Sequence, residues 1–217
     1  VRGVLLRIQL LAEAGRDAEA LDAVRKATSA NPDSSELVEV EVRLLARQKQ
    51  MKQALDVAQS AIKRWPNNAE MFFLLGSLQD ETGDKKAAFK TMEKLLALHP
   101  DNYQALNYVG YTLAEEDRDL DRALTLLVRA NDLAPNQSYI VDSLAWAYFK
   151  AGKLDDALKE IRRAVTLDEH TDASIWEHYG DIAARAGLKD EARTAYQKAM
   201  ELKPDNAEAL RQRLSHL

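Results

Sequence analysis

All five prolines of this 217-residue chain fall at one phase: Pro32, Pro66, Pro100, Pro135 and Pro204, with Glu169 filling the one gap at a spacing of 34 or 35 residues. An alanine series, Ala20, Ala54, Ala88, Ala123, Ala157 and Ala192, keeps the same phase, as do Ala27, Ala61, Leu95, Ala130, Ala164 and Ala199. A third series, Ile8, Val42, Gly76, Gly110, Ala145 and Gly180, places mostly small side chains where two helices would cross closely. Internal repetition at this period restricts the chain to a stacked array in which each unit buries its apolar face against its neighbours.

Within a unit the apolar spacing is helical, as in Phe72, Leu75 and Leu78 and then Ala88, Met92, Leu95 and Leu96, with a break at Thr82, Gly83 and Asp84. Each unit therefore reads as a helix hairpin. The breaker recurs as Gly15, Gly83, Gly152 and Gly187, where glycine can take the left-handed backbone at a helix end; Lys49 and the Asp117–Arg118 stretch depart from it. Between units, NPDSS, WPNN, HPDN, APNQ and KPDN join a helix-ending proline to Asn or Asp residues able to cap the next helix.

These residues resemble the tetratricopeptide repeat family, with its bulky residue, Leu-Gly pair, small alanines and closing proline. The sixth unit carries the likeness best through Trp176, Tyr179, Gly180, Gly187, Ala192, Tyr196, Ala199 and Pro204, whereas Ile8 and Val42 replace the glycine in the first two units. The expected architecture is all-α: a right-handed superhelical solenoid with repeats at 1–34, 35–68, 69–102, 103–137, 138–172 and 173–206. Residues 207–217 then form a capping helix with Leu210, Leu214 and Leu217 on its inner face. The opening residue is Val and the first segment already reads as a helix, so a fragment of a longer protein is expected.

The resemblance implies that the first helix of each hairpin lines a concave groove through its second, fifth, ninth, twelfth and thirteenth positions. Those positions hold ten acidic residues (Glu13, Glu36, Glu39, Glu70, Asp80, Glu81, Glu115, Asp142, Glu177, Asp181) and five basic ones (Arg2, Arg43, Arg47, Lys150, Arg185). They also hold Phe73, Tyr111, Tyr139, Trp146 and Phe149, and aromatic residues favour binding because they offer large contact area at small conformational cost. Asn107 and Asp142 stand at equivalent positions of adjacent repeats, where they could hydrogen-bond an extended peptide backbone. The candidate peptide-binding residues are thus Phe73, Asn107, Tyr111, Tyr139, Asp142, Trp146, Phe149, Lys150 and Glu177. Some members of the family clamp a C-terminal carboxylate with Lys and Asn, but Leu5, Glu39, Asp142 and Glu177 occupy the clamp positions here. A basic, mixed or apolar segment suits this groove better than an acidic one.

The stretch from Ala105 to Leu158, with its NYxGY and DSxxW strings, is similar to the C-terminal repeats of bacterial envelope-associated tetratricopeptide lipoproteins, some of which are adaptors.

Composition narrows the function classes further. The formal charge of −5 lacks the concentrated basic surface that binding to a phosphate backbone requires, so nucleic acid is not an expected partner. Cysteine is absent, which excludes thiol chemistry and leaves cytoplasm and periplasm equally open. No run of 18 apolar residues occurs. The four histidines, His99, His170, His178 and His216, are scattered, and Glu177–His178 lies on a surface-leaning stretch of helix with no third ligand in view. Gly152–Lys153 lacks the upstream glycine of a phosphate loop, and Ser143 sits mid-helix without the turn a nucleophile needs. No enzyme, metal or cofactor is expected. The chain reads as a scaffold or adaptor holding a peptide or protein segment, or alternatively as an assembly element acting through the array ends or convex face.

Overall fold

The computed structural model describes residues 2–167, 172–203 and 207–217; Glu169, His170 and Pro204 lie outside the described residues. It is all-α, with thirteen helices among the described residues, and divides into two compact units, residues 1–100 and 101–217.

Unit 1 contains three hairpins: α1 (Arg2–Glu13) with α2 (Asp17–Ala30), α3 (Ser35–Arg47) with α4 (Met51–Arg64), and α5 (Ala69–Glu81) with α6 (Lys85–Leu98). Ala20, Ala54, Ala61 and Ala88 are buried, and Leu37, Val42, Leu45, Met71 and Leu75 join the first three in a continuous core. Ile8 and Val42, at the register where the third, fourth and sixth hairpins carry glycine, are buried in the same core as the small residues Ala20, Val24, Ala54 and Ala58.

Unit 2 contains α7 (Tyr103–Glu115) with α8 (Leu120–Leu133), α9 (Ser138–Lys150) with α10 (Leu154–Leu167), α11 (Ala173–Arg185) with α12 (Lys189–Leu202), and a last helix, α13 (Ala207–Ser215). The helices α7, α9 and α11 lie side by side, each packed on its own second helix, with α7 and α9 also packed on the first helix of the next hairpin. Leu210 is fully buried against Ala183, Ala192, Tyr196 and Ala199, with Leu214 and Leu217 packed beside it.

Two local devices set the helix ends. The side chains of Asn68, Asn102 and Asp172 accept hydrogen bonds from Met71 N, Ala105 N and Ser174 N at 2.9, 2.9 and 2.8 Å, capping α5, α7 and α11. Inside the hairpins the chain turns through left-handed residues, with φ of 71° at Gly15 and 87° at Gly83; Lys49 adopts φ 60° at the same place without glycine's freedom. The fourth hairpin has one extra residue in its turn and meets the need twice, at Asp117 (φ 50°) and Asp119 (φ 43°). Among the described residues no helix is long and apolar enough to cross a membrane.

Candidate functional site

The aromatic side chains of unit 2 concentrate on α7, α9 and α11, whose register is set by the apolar residues beneath them. Val109, Leu113, Val141, Leu144, Ala145 and Ile182 are buried, which turns Tyr111, Trp146 and Asp181 to the opposite side of their helices. The face so formed is built around His178 on α11.

Its Nδ1 lies 2.9 and 3.0 Å from the two carboxylate oxygens of Asp142, and both side chains are largely buried, at 15% and 8% exposure. The Trp146 indole stacks on the imidazole with ring centroids 4.2 Å apart, and the Tyr111 ring lies 6.3 Å away on the α7 side. Trp146 Nε1 donates to a Glu115 carboxylate oxygen at 2.7 Å, so acid, indole, imidazole and acid run in sequence across three helices. Burial, the largest single influence on His178, works against its charge, but Asp142 as charge and hydrogen-bond partner, with Asp181 and Glu115 beyond it, outweighs burial and raises its pKa. Burial, aided by Glu115 and Asp142, pushes the Tyr111 phenol up to about 12, so it remains a neutral hydrogen-bond donor at physiological pH.

A second set continues along α11. Tyr196 donates to Asp181 at 2.7 Å, and Arg213 on α13 approaches Asp181 at 3.1 Å and Glu177 at 3.9 Å. At the other end Lys150 pairs with Asp117 at 2.8 Å while its Nζ lies 5.7 Å from the Trp146 ring centroid.

The residues singled out on sequence fall into three groups. Tyr111, Asp142, Trp146 and Lys150 meet around His178, and Glu177 and Asn107 lie on the same helices. Asn107 is distinctive because its Oδ1 is buried with no hydrogen-bond partner among the described residues. Phe149 touches Trp146 at 5.1 Å but also packs against the apolar core of α9, α10 and α11, so its ring is shared between face and core. Tyr139 stands at the start of α9 and is 42% exposed, whereas Phe73 is half-buried on α5 of unit 1 and belongs to a different body from the rest.

His178 is the residue that sequence reasoning missed. Read as surface-leaning, it is instead largely enclosed, because its helix position faces α9 and meets the Asp142 carboxylate there. The signal was present in the repeat register: Leu6, Val40 and Leu74 occupy this position in unit 1 and Tyr108 and Ser143 in unit 2, and an imidazole in a series otherwise free of basic residues implies a polar partner across the crossing.

Comparison with known proteins places these features in context. A family model described as tetratricopeptide repeat matches residues 74–138 and 143–207, and one described as ChAPs (Chs5p-Arf1p-binding proteins) matches residues 1–95. A TPR repeat-containing protein of Pseudomonas aeruginosa is 29% identical over 82% of this chain, and the chain spans only 30% of that relative's length. Among solved structures, Pseudomonas aeruginosa pilF is similar with a TM-score of 0.78 at 14% identity, covering 97% of this chain and 96% of that one. YrrB, described as a TPR protein with an unusual peptide-binding site, has a TM-score of 0.67 at 21% identity, covering 91% of this chain and all of that one. At these identities the solved structures speak for the fold alone.

Proposed function

The chain belongs to the tetratricopeptide repeat family, whose members are generally protein-interaction scaffolds, and on that premise we propose that the α7, α9 and α11 face of unit 2 holds a peptide or protein segment. The observation that carries this reading is the Glu115–Trp146–His178–Asp142 chain flanked by Tyr111. Its side chains are already fixed by one another, so a ligand would meet a rigid aromatic and acidic surface with little ordering left to do. The buried, unpartnered Oδ1 of Asn107, one turn before Tyr111, supplies an acceptor for a donor group of the ligand.

The ligand chemistry follows from the charges. Lys150 is matched by Asp117 and His178 by Asp142, while Arg213 is shared between Asp181 and Glu177 and Glu115 hydrogen-bonds the Trp146 indole with no ion-pair partner among the described residues. Acidic charge is therefore in excess, and a segment with a basic or apolar side chain fits better than an acidic one. The reading is a non-catalytic one, an adaptor. The Pseudomonas relative supports a bacterial setting, and the sequence resemblance to envelope-associated lipoproteins supports an envelope complex within it.

The test is selection of binders from a displayed random-peptide library, followed by fluorescence anisotropy on wild type, Tyr111→Ala, Trp146→Ala and the milder Glu115→Gln, each checked as folded by circular dichroism. Selected peptides should be rich in basic residues and should lose most of their affinity in all three variants. Equal affinity in every folded variant, or a preference for acidic peptides, overturns the reading. A second reading, self-association through α1, is favoured by Leu6 and Leu10, which are 58% and 56% exposed one helical turn apart. It predicts a dimer in sedimentation that Leu6→Glu dissolves.

A further inference from the structure

The side of unit 1 formed by α2 and α4 contains a recess of roughly 710 Å³, away from the first-helix face. Its walls include Val38, Val57, Ala61 and Trp65. The repeat register explains why it is open. The residue directly before Ala27, Ala61, Leu95, Ala130, Ala164 and Ala199 is, in order, Lys26, Ser60, Lys94, Arg129, Arg163 and Lys198. Every hairpin but the second carries a long cation there.

In the third, fourth and fifth hairpins that cation lies across neighbouring structure, whereas Lys198 pairs with Glu201 along its own helix. Within unit 2, Arg129 bonds Asp101 at 2.8 Å, and the Arg163 guanidinium bonds Asn131, which stands at the register of Thr28. Within unit 1, Lys94 Nζ lies 5.3 Å from the Phe72 ring centroid. Ser60 reaches no such partner; its hydroxyl folds back to donate to Asp56 O at 2.9 Å. The space of a lysine or arginine side chain is left empty between α2 and α4.

The recess retains the chemistry that would hold such a side chain. Thr28 and Ser29 donate to Val24 O and Arg25 O of their own helix, each at 2.9 Å, so these two hydroxyls and that of Ser60 turn only lone pairs toward the recess. The two arginines on the rim are occupied, Arg25 by Glu41 at 3.2 Å and Arg64 by Asp33, with Arg64 also 4.9 Å from the Trp65 ring centroid. The carboxylate of Asp56 has no basic partner among the described residues and lines the recess. Acceptors and one unmatched negative charge stand beside Val57 and the Trp65 indole in an open recess with room for such a side chain.

We propose that this recess is a docking site for a lysine or arginine side chain carried by a partner protein, which takes the place that the chain's own cation holds in the third, fourth and fifth hairpins. The stem lies along Trp65 and Val57, and the charged head meets Asp56 and the hydroxyl oxygens. The site is independent of the unit 2 face.

The probes are three capped tripeptides, acetyl-Leu-Lys-Leu-amide and its norleucine and glutamate counterparts, titrated into the whole chain while the Trp65 indole and the Ser60 and Thr28 amides are followed by NMR. The lysine peptide should shift these signals saturably, and the other two should bind about tenfold more weakly or worse, as loss of one charge-assisted contact requires. Ser60→Arg, which restores the missing cation, should abolish the shifts while thermal melting is retained. Asp56→Asn provides a second variant and should weaken the lysine peptide alone. Norleucine binding as tightly as lysine, unchanged binding to Ser60→Arg or to Asp56→Asn, or no shift from any peptide each overturns the proposal.

Discussion

The Trp146 indole lies parallel to the His178 imidazole within 17° at a centroid separation of 4.2 Å, while Asp142 holds the ring through Nδ1. A ring clamped on its face by an indole and at its edge by a carboxylate is best stabilised when charged. Its folded pKa is raised, so the stabilisation is fully present below the ordinary histidine value of about 6.5 and is lost as pH rises through the folded value. The difference in melting temperature between wild type and His178→Gln should therefore shrink from about pH 6 toward alkaline pH. A difference that grows with pH would show that the neutral imidazole is the stabilised form.

The same pair should be energetically coupled. Asp142 has little solvent to replace a lost partner, so Asp142→Asn should cost about 1–3 kcal/mol at mildly acidic pH. In a double-mutant cycle with His178→Gln, urea unfolding should give a coupling energy of about 0.5–3 kcal/mol. A coupling near zero would mean that the 2.9 Å contact contributes nothing beyond packing.

These two predictions rest on a contact that the sequence did not disclose, and the reason is physical. Periodicity reports which face of a helix a residue occupies, because buried positions such as Ala88, Ala123 and Ala157 must recur with the repeat. That was enough to place the hairpins, and the resemblance to the repeat family then put Tyr111, Asp142, Trp146 and Lys150 on one side of unit 2. It does not report which side chains meet across a crossing. Asp142 and His178 are separated by 36 residues and occupy different positions within their repeats, so no single-repeat pattern pairs them. The recess beside Ser60 was hidden for the converse reason: what marks it is a side chain that is missing from one repeat of six.

The close crossings should respond unequally to a single methyl. A Cβ on Gly180 would stand 2.2 Å from Cε1 of the Tyr196 ring, a rigid group whose hydroxyl is also bonded to Asp181. On Gly110 it would meet Leu127 Cγ at 2.6 Å and Ala123 O at 3.2 Å. On Gly76 it would meet only the end of Met92, with Cε at 2.6 Å, and a flexible thioether can swing aside. Alanine also gains about 1 kcal/mol of helix propensity over glycine at each position. Gly76→Ala should therefore melt close to wild type, whereas Gly180→Ala and Gly110→Ala should each lose about 1–3 kcal/mol through overpacking. Similar losses at all three positions would contradict the distinction between rigid and flexible neighbours.

Lys49 offers a gain. It holds φ 60° in the turn between α3 and α4, the place that Gly15, Gly83, Gly152 and Gly187 occupy elsewhere with φ between 71° and 87°. A side chain in this conformation costs roughly 1–2 kcal/mol through the clash of its Cβ with the backbone. The compensating contact is weak, since Lys49 Nζ lies 3.5 Å from Glu81 with 80% of the lysine side chain exposed, and such pairs contribute about 0–1 kcal/mol. Glycine would relieve the clash but enlarge the freedom of the unfolded chain by up to about 1 kcal/mol. The balance favours Lys49→Gly by a few tenths to about 1 kcal/mol, measurable as a rise in the urea midpoint at unchanged slope. A fall in the midpoint would show that the Glu81 contact outweighs the strain, and Lys49→Asn, which tolerates the left-handed backbone without glycine's freedom, would then separate the two contributions.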